Sequence, residues 1–198
     1  SGDGGSIKRT AVSNHIIRVT ASAENNIEQR ESLIVVPQPA GTNWSVSENE
    51  GKLTLSTSDV KAVADLKTGA VYFTDINGKP IIAERKLEGR KIEPVVMEGK
   101  SLYRVKQTFE TDADDAYYGL GQHQEDAWNY KGRQVVFFQN NTQVAVPFLV
   151  SIKNYGILWD NYSYSKVGDT RQFQPLSRLQ LFDKNGTEGW LTADYAND

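Results

Sequence analysis

Few side chains in this sequence are placed to do chemistry. His123 is followed by Glu125 and Asp126. On a strand, residues two apart share a face, which would set His123 beside Glu125 as a metal-binding or acid/base pair. One imidazole with neighbouring carboxylates is a thin ligand set for a transition metal. Asp112, Asp114 and Asp115 form a second acidic group. A calcium loop needs a glycine and a distal glutamate at fixed spacings that this segment lacks, so it reads as a solvated acidic turn. Gly119-Leu-Gly121 invites a nucleotide-binding reading, but the third glycine of that fingerprint falls on Gln124 and no helix pattern follows. These glycines read instead as places where strand backbones turn or pack closely. No Gly-x-Ser-x-Gly elbow marks a serine nucleophile. His15 adjoins an apolar strand and reads as structural.

Aromatic residues are the more informative group. Trp128, Tyr130, Tyr155, Trp159, Tyr162 and Tyr164 crowd the second half. Such rings offer an apolar face with a polar handle, which suits the C–H faces of sugars. Trp128 and Tyr130 are the candidates for sugar-facing rings, with core packing as the competing reading of each. Asn43, Asn140, Asn161 and Asn185 head Asn-x-Ser/Thr sequons, which matter only in a eukaryotic secretory host.

These groups sit in a chain of 198 residues with no cysteine, two histidines and a net charge of −3. The absence of cysteine excludes a disulfide framework, a thiolate metal site and a cysteine nucleophile. The acidic balance argues against an electrostatic nucleic-acid binder. No apolar run approaches the ~20 residues of a membrane helix. The opening Ser1-Gly-Asp-Gly-Gly-Ser6 lacks the pattern of a signal peptide, and residues 1–13 read as a flexible N-terminal segment.

The elements that must position any site are strands. Ile17, Val19 and Ala21 alternate with Arg18 and Thr20. Trp44 and Val46 alternate with serines, turn at Asn49-Glu-Gly51, and resume at Leu53 and Leu55, a hairpin signature. Between Val60 and Ile82 two further turns are expected, at Lys67-Thr-Gly69 and at Asn77-Gly78, where both residues tolerate positive φ. Tyr103, Val105, Gln107 and Phe109 share a face that reads as buried, with Gln107 as its flaw. Gln134 to Phe138 and Val144 to Ile152 are apolar strands joined by a polar loop, Gln139 to Gln143. Turn signals recur throughout, and the expected fold is all-β, a two-sheet antiparallel β-sandwich.

Four blocks in order carry a family resemblance. Tyr117 to Gln122, YYGLGQ, resembles a signature in the N-terminal domain of glycoside hydrolase family 31. NNTQVAVPFLVS, Asn140 to Ser151, looks like that family's substrate-side loop and the strand after it. YGILWDN, Tyr155 to Asn161, looks like the next strand, and Asp65 to Ile81 resembles an earlier three-strand segment. The resemblance spans residues 14–190 as one domain. Gly189 to Tyr195 resembles the opening of a protective-antigen-like module, which would place an insert at 191–198.

The resemblance implies a galactose-mutarotase-like sandwich packed on a (β/α)8 barrel in a retaining α-glycosidase, α-xylosidase favoured over α-glucosidase. Both catalytic carboxyl groups, about 5–5.5 Å apart in retaining enzymes, would come from the barrel, so no catalytic residue is expected here. It implies no cofactor and no metal. The substrate would be an α-linked oligosaccharide, xyloglucan-type favoured, and the location exported, periplasmic or extracellular. In several members an Asp-x-Thr segment of the loop bonds the sugar; the matching positions are Asn140 and Thr142, with Asn141 between them as a third candidate for substrate binding. Asn140 replaces an aspartate and loses a charge-assisted bond roughly twice as strong as a neutral one. A polar hairpin connection is the competing reading of this loop. The surface facing the barrel should be an apolar patch. A stand-alone carbohydrate-binding sandwich is the alternative, and a free mutarotase is disfavoured because His123 is a poor basis for its acid/base pair.

Overall fold

Alternating apolar and polar residues with frequent turn formers favour strands over helices, and the chain folds accordingly. The computed structural model describes residues 5–24, 27, 31–36, 41–124, 127–139, 141–168, 179–182 and 188–191, with no helix among them. The expected antiparallel sandwich is borne out, although its hydrogen-bonded ladders are interrupted into several sheets.

β1 (Ser6–Ser13) and β2 (Ile16–Ser22) form a hairpin. This corrects the expectation of a flexible segment to residue 13: the strand begins at Ser6. It is fixed by Arg9, whose Nη1 donates to Leu53 O at 2.5 Å and Ala62 O at 3.1 Å on the neighbouring sheet. β3 (Ser45–Asn49), β4 (Lys52–Ser56), β5 (Val60–Asp65), β6 (Val71–Asp75) and β7 (Pro80–Glu84) pair in succession. β8 (Arg90–Met97) and β9 (Lys100–Gln107) make a separate two-stranded ribbon, and β10 (Phe109–Glu110) returns beside β7 to complete a six-stranded sheet.

The turns follow local chemistry. Glu50 and Gly51 connect β3 to β4 with φ of 48° and 71°, the double positive φ of a primed hairpin turn. Asp65 Oδ1 accepts from Lys67 N and Thr68 N at 2.9 Å each, ahead of Gly69. At Asn77-Gly78 only the glycine has positive φ, so the expected two-residue turn is replaced by a longer one closed by Gly78 N to Asp75 O at 3.1 Å. Pro80 begins β7 after it. Leu33, Ile34 and Val35 lie in bends.

The second half forms β11 (Tyr117–Gln122), β12 (Gln134–Phe137), β13 (Val144–Ser151), β14 (Tyr155–Leu158) and β15 (Ser165–Gly168). β11, β13 and β14 make a three-stranded sheet with β13 central, while β12 pairs with β15. β16 (Leu179–Phe182) and β17 (Glu188–Leu191) pair with each other; residues 192–198, the main part of the expected insert, lie outside the described residues. One core sets Ile17 and Val19 of the first hairpin on Ala62, Ala64 and Val71 of the large sheet. The other sets Leu120 and Leu149 of the three-stranded sheet against Val135, Phe137 and Val167 of the β12–β15 ladder. Arg18 Nη2 bridges the two halves by donating to Asp160 Oδ2, just beyond β14.

The β8–β9 ribbon is not the buried face that its alternation predicts. Tyr103 and Val105 are exposed, and Gln107 is the half-buried member. Gln107 lies in a polar anchor instead: Arg90 Nε donates to its Oε1 at 3.1 Å, and its Nε2 donates to Gly89 O at 3.1 Å. Arg90 Nη2 also donates to the buried Glu84 Oε1, whose other oxygen accepts from Val71 N at 3.0 Å.

Burial pushes the Glu84 carboxyl above its ordinary value, and Arg90 offsets this only in part. A raised folded pKa means that ionisation costs stability as pH climbs from the unfolded value of about 4.3 through the folded one. Arg90→Met removes the partner of a buried charge and is expected to cost about 3–5 kcal/mol at pH 7 in urea unfolding. The deficit should shrink at pH 5, where Glu84 is more easily neutralised; an equal deficit at both pH values contradicts the account.

Candidate functional site

The loop between β12 and β13 is not a hairpin connection, because its two flanking strands belong to different ladders. It crosses from one packed layer to the other. Asn140 lies outside the described residues. Asn141 and Thr142 are exposed, and Thr142 has φ of 72°, a left-handed conformation that β-branched residues rarely adopt. The Thr142 hydroxyl donates to Asn141 O and accepts from Gln124 Nε2. Gln124 is a residue of this site that the sequence reading used only to dismiss a nucleotide motif. Its position just after the YYGLGQ block was the available signal.

That block is built around an irregularity. Gly119, Leu120 and Gly121 have φ of 93°, 64° and 100°. Gly119 pairs with Leu149 and Gly121 with Ala145, so Leu120 alone stands opposite Val146, Pro147 and Phe148. A Cβ on Gly119 would lie 2.4 Å from Phe148 O, and one on Gly121 1.9 Å from Val144 O. The glycines therefore serve close backbone approach, as expected. The broken ladder also accommodates Pro147, which has no N–H and is otherwise excluded from a central strand. Leu120 turns inward and is 1% exposed, packed with Tyr130 and Val135.

The acidic group divides. Asp112 and Asp114 are exposed and share Lys153 Nζ at 2.6 and 2.9 Å, as a solvated turn would. Asp115 corrects that reading, because it is 5% exposed. It accepts from Ser151 Oγ at 2.6 Å, Ala116 N at 2.8 Å and Tyr155 OH at 3.1 Å. Tyr117, Ser151 and Tyr155 form one row across β11, β13 and β14 on the inner face. Inward-facing hydroxyls on two adjacent strands require an acceptor, and Asp115 supplies it. Burial pushes the Asp115 carboxyl up, but these hydrogen bonds outweigh it and hold its pKa below the ordinary value. Burial likewise raises both tyrosine phenols.

His123 is also committed locally. Its Nε2 lies 2.8 Å from Leu120 O, and its ring meets Tyr130 edge-on at 6.2 Å between centroids. Glu125 and Asp126 lie outside the described residues, and the described residues contain no cluster of three or more potential metal ligands. Tyr130 is 9% exposed in the core, which does not fit a sugar-facing role; Trp128 is 85% exposed. His15 Nδ1 lies 2.9 Å from Asp59 Oδ2 at the surface.

The outer face of the three-stranded sheet is apolar. Tyr118, Val144, Val146, Phe148, Val150 and Leu158 share it by register and are each 38–46% exposed. Phe148 covers Gly156, where an added Cβ would lie 2.7 Å from its Cζ. The face begins at Val144, immediately after the loop.

The family model described as the glycosyl hydrolase 31 N-terminal galactose mutarotase-like domain matches residues 6–167. An α-xylosidase of Saccharolobus solfataricus is 30% identical over 167 residues, covering 79% of this chain and 22% of that protein. The crystal structure of a GH31 α-xylosidase from Xanthomonas citri superposes with a TM-score of 0.81 at 41% identity, covering 92% of this chain and 20% of that one. A soil-metagenome GH31 α-xylosidase complexed with xylose gives a TM-score of 0.75 at 26% identity, covering 84% and 27%. The chain thus spans about a fifth to a quarter of the length of these relatives.

Asp115→Asn keeps the shape of the inner network and removes its charge. It is expected to cost about 1–3 kcal/mol at pH 7 in thermal unfolding. Because the folded pKa is lowered, the charge stabilises the fold above the unfolded value of about 3.9, and this is lost as pH falls through the folded value. The gap between variant and parent should therefore close on acidification; a gap that widens would refute the assignment.

Proposed function

This chain belongs to the N-terminal, galactose mutarotase-like domain family of glycosyl hydrolase 31 enzymes, and from that premise we propose that it braces the catalytic barrel of a retaining α-xylosidase. The outer apolar face of β11, β13 and β14 carries this reading. Six exposed apolar side chains on one sheet face form the kind of patch that proteins cover. The occupant we assign is the catalytic barrel, within the additional length that the relatives possess. The same strand that offers the face opens with the layer-crossing loop, so docking the face would deliver the loop to the barrel mouth.

The division of labour follows from the residues. Retaining hydrolysis needs a carboxylate nucleophile and a carboxyl acid/base on either side of the glycosidic bond, and both belong to the barrel. The sandwich contributes orientation: the loop fixes the sugar by hydrogen bonds that matter most as charge develops in the transition state. An asparagine amide can both donate to and accept from sugar hydroxyls. The substrate is an α-linked oligosaccharide, with a xylose glycone on a xyloglucan-type chain favoured because the named relatives above are α-xylosidases.

Two measurements test this. Asn141→Ala in the full-length enzyme should lower kcat/KM for an aryl α-xyloside about tenfold, the worth of one well-placed hydrogen bond of about 1.4 kcal/mol. Activity within about twofold of the parent would remove the loop from the substrate site. Val146→Glu should change the stability of this chain alone by no more than about 0.5 kcal/mol, as at an ordinary surface. In the full-length enzyme the same change buries a charge and should cost about 3 kcal/mol or more. Equal effects in both settings would show that nothing covers the face.

A further inference from the structure

We propose that Gln124 is a positioning residue for the reaction, holding the loop between β12 and β13 in the shape that meets the sugar; this rests on the reading of that loop as substrate-side. Thr142 is at the loop's strained point, with φ of 72°. Strained backbone of this kind persists only where the surroundings over-determine it. Here two hydrogen bonds do so, both through one hydroxyl. Its single proton goes to Asn141 O, and one lone pair accepts from Gln124 Nε2. A threonine hydroxyl has only one proton to donate. Thr142 therefore has none left for a sugar and serves as an internal strut. The exposed Asn141 beside it, whose carbonyl takes that proton, is the residue we assign to the substrate, and Gln124 helps to set where it stands.

The other end of the strut is fixed as well. Gln124 follows the Gly119-Leu120-Gly121 irregularity by three residues, and the intervening His123 is tied by Nε2 to Leu120 O at 2.8 Å. Because a carbonyl only accepts, this nitrogen carries the proton. The imidazole thus pins the chain leaving β11, and Gln124 reaches the loop from an anchored position. Gln124 is exposed and contributes to neither core, so its removal leaves the fold standing.

The test is a double-mutant cycle in the full-length enzyme with Gln124→Ala, Thr142→Val and the two combined. Each single variant should lose about tenfold in kcat/KM for an aryl α-xyloside, mainly in kcat, with an unchanged melting temperature. If Gln124 acts through Thr142, the double variant should lose no more than the worse single, to within about twofold. Amide hydrogen exchange at residues 141–143 should quicken in Gln124→Ala, which a residue without a positioning role would not cause. Losses that multiply, or Gln124→Ala activity within about twofold of the parent, overturn the proposal. Asn141→Ala separates the two levels. If it keeps its loss while Gln124→Ala is silent, only the role of Gln124 fails; if both are silent, the loop reading fails and takes this inference with it.

Discussion

One residue of β11 faces three of β13, and much of the second half depends on that mismatch. A regular ladder would place Leu120 in register and demand a backbone donor from Pro147, which has none. The two positive-φ glycines let the backbones close to distances that no Cβ permits, and Leu120 swings into the core. Pairing then resumes, so that Tyr117, Ser151 and Tyr155 line up in one row and share Asp115. On the far side of the irregularity the chain is delivered to the loop that Gln124 touches. A single break in hydrogen bonding thereby serves packing, a buried polar network and the placement of the candidate loop.

The three-stranded sheet presents an unusual contrast between its faces. Its inner face carries the aspartate, the serine and two tyrosines, all hydrogen-bonded, beside the Leu120 core. Its outer face is made of valines, phenylalanine, leucine and tyrosine and is open. A buried polar network is costly unless every group is satisfied, and the described residues contain no buried side-chain polar atom without a partner. Such a network fixes the relative position of three strands more sharply than apolar contacts alone. That rigidity would suit the docking of the outer surface proposed above.

Much of this was legible in the sequence, and the failures have physical causes. Period-two alternation located Ile17 and Val19 on the core side, and Gly51 and Gly69 marked their turns, because these signals are local. Asn77-Gly78 misled because a proline and an Asp75 side chain nearby selected a longer turn. The strand at residues 6–13 was missed because its central inward group is Arg9, a charge satisfied by carbonyls of distant strands. Asp115 and Tyr130 were misplaced for the same reason: the partners that bury them lie 36 residues away for Asp115 and in a core assembled from four strands for Tyr130. Tyr103 and Val105 show the converse, since alternation reveals a common face but not whether anything covers it. At the site, the block around Gly119 was visible as a motif, while the link from Gln124 to Thr142 spans 18 residues and required the fold.

The outer apolar face also bears on biosynthesis. In a protein with the proportions of the relatives, an N-terminal sandwich leaves the ribosome while most of the chain is still untranslated. At roughly 5–20 residues per second, the wait is on the order of a minute. For that interval VAVPFLV, Val144 to Val150, is a β-prone apolar stretch with one side open to solvent. Pro147, which the broken ladder tolerates in the native sheet, also interrupts the uniform strand that self-association between nascent chains would need. The residue that forces the irregularity in the folded domain is in this way a safeguard for the unfinished protein.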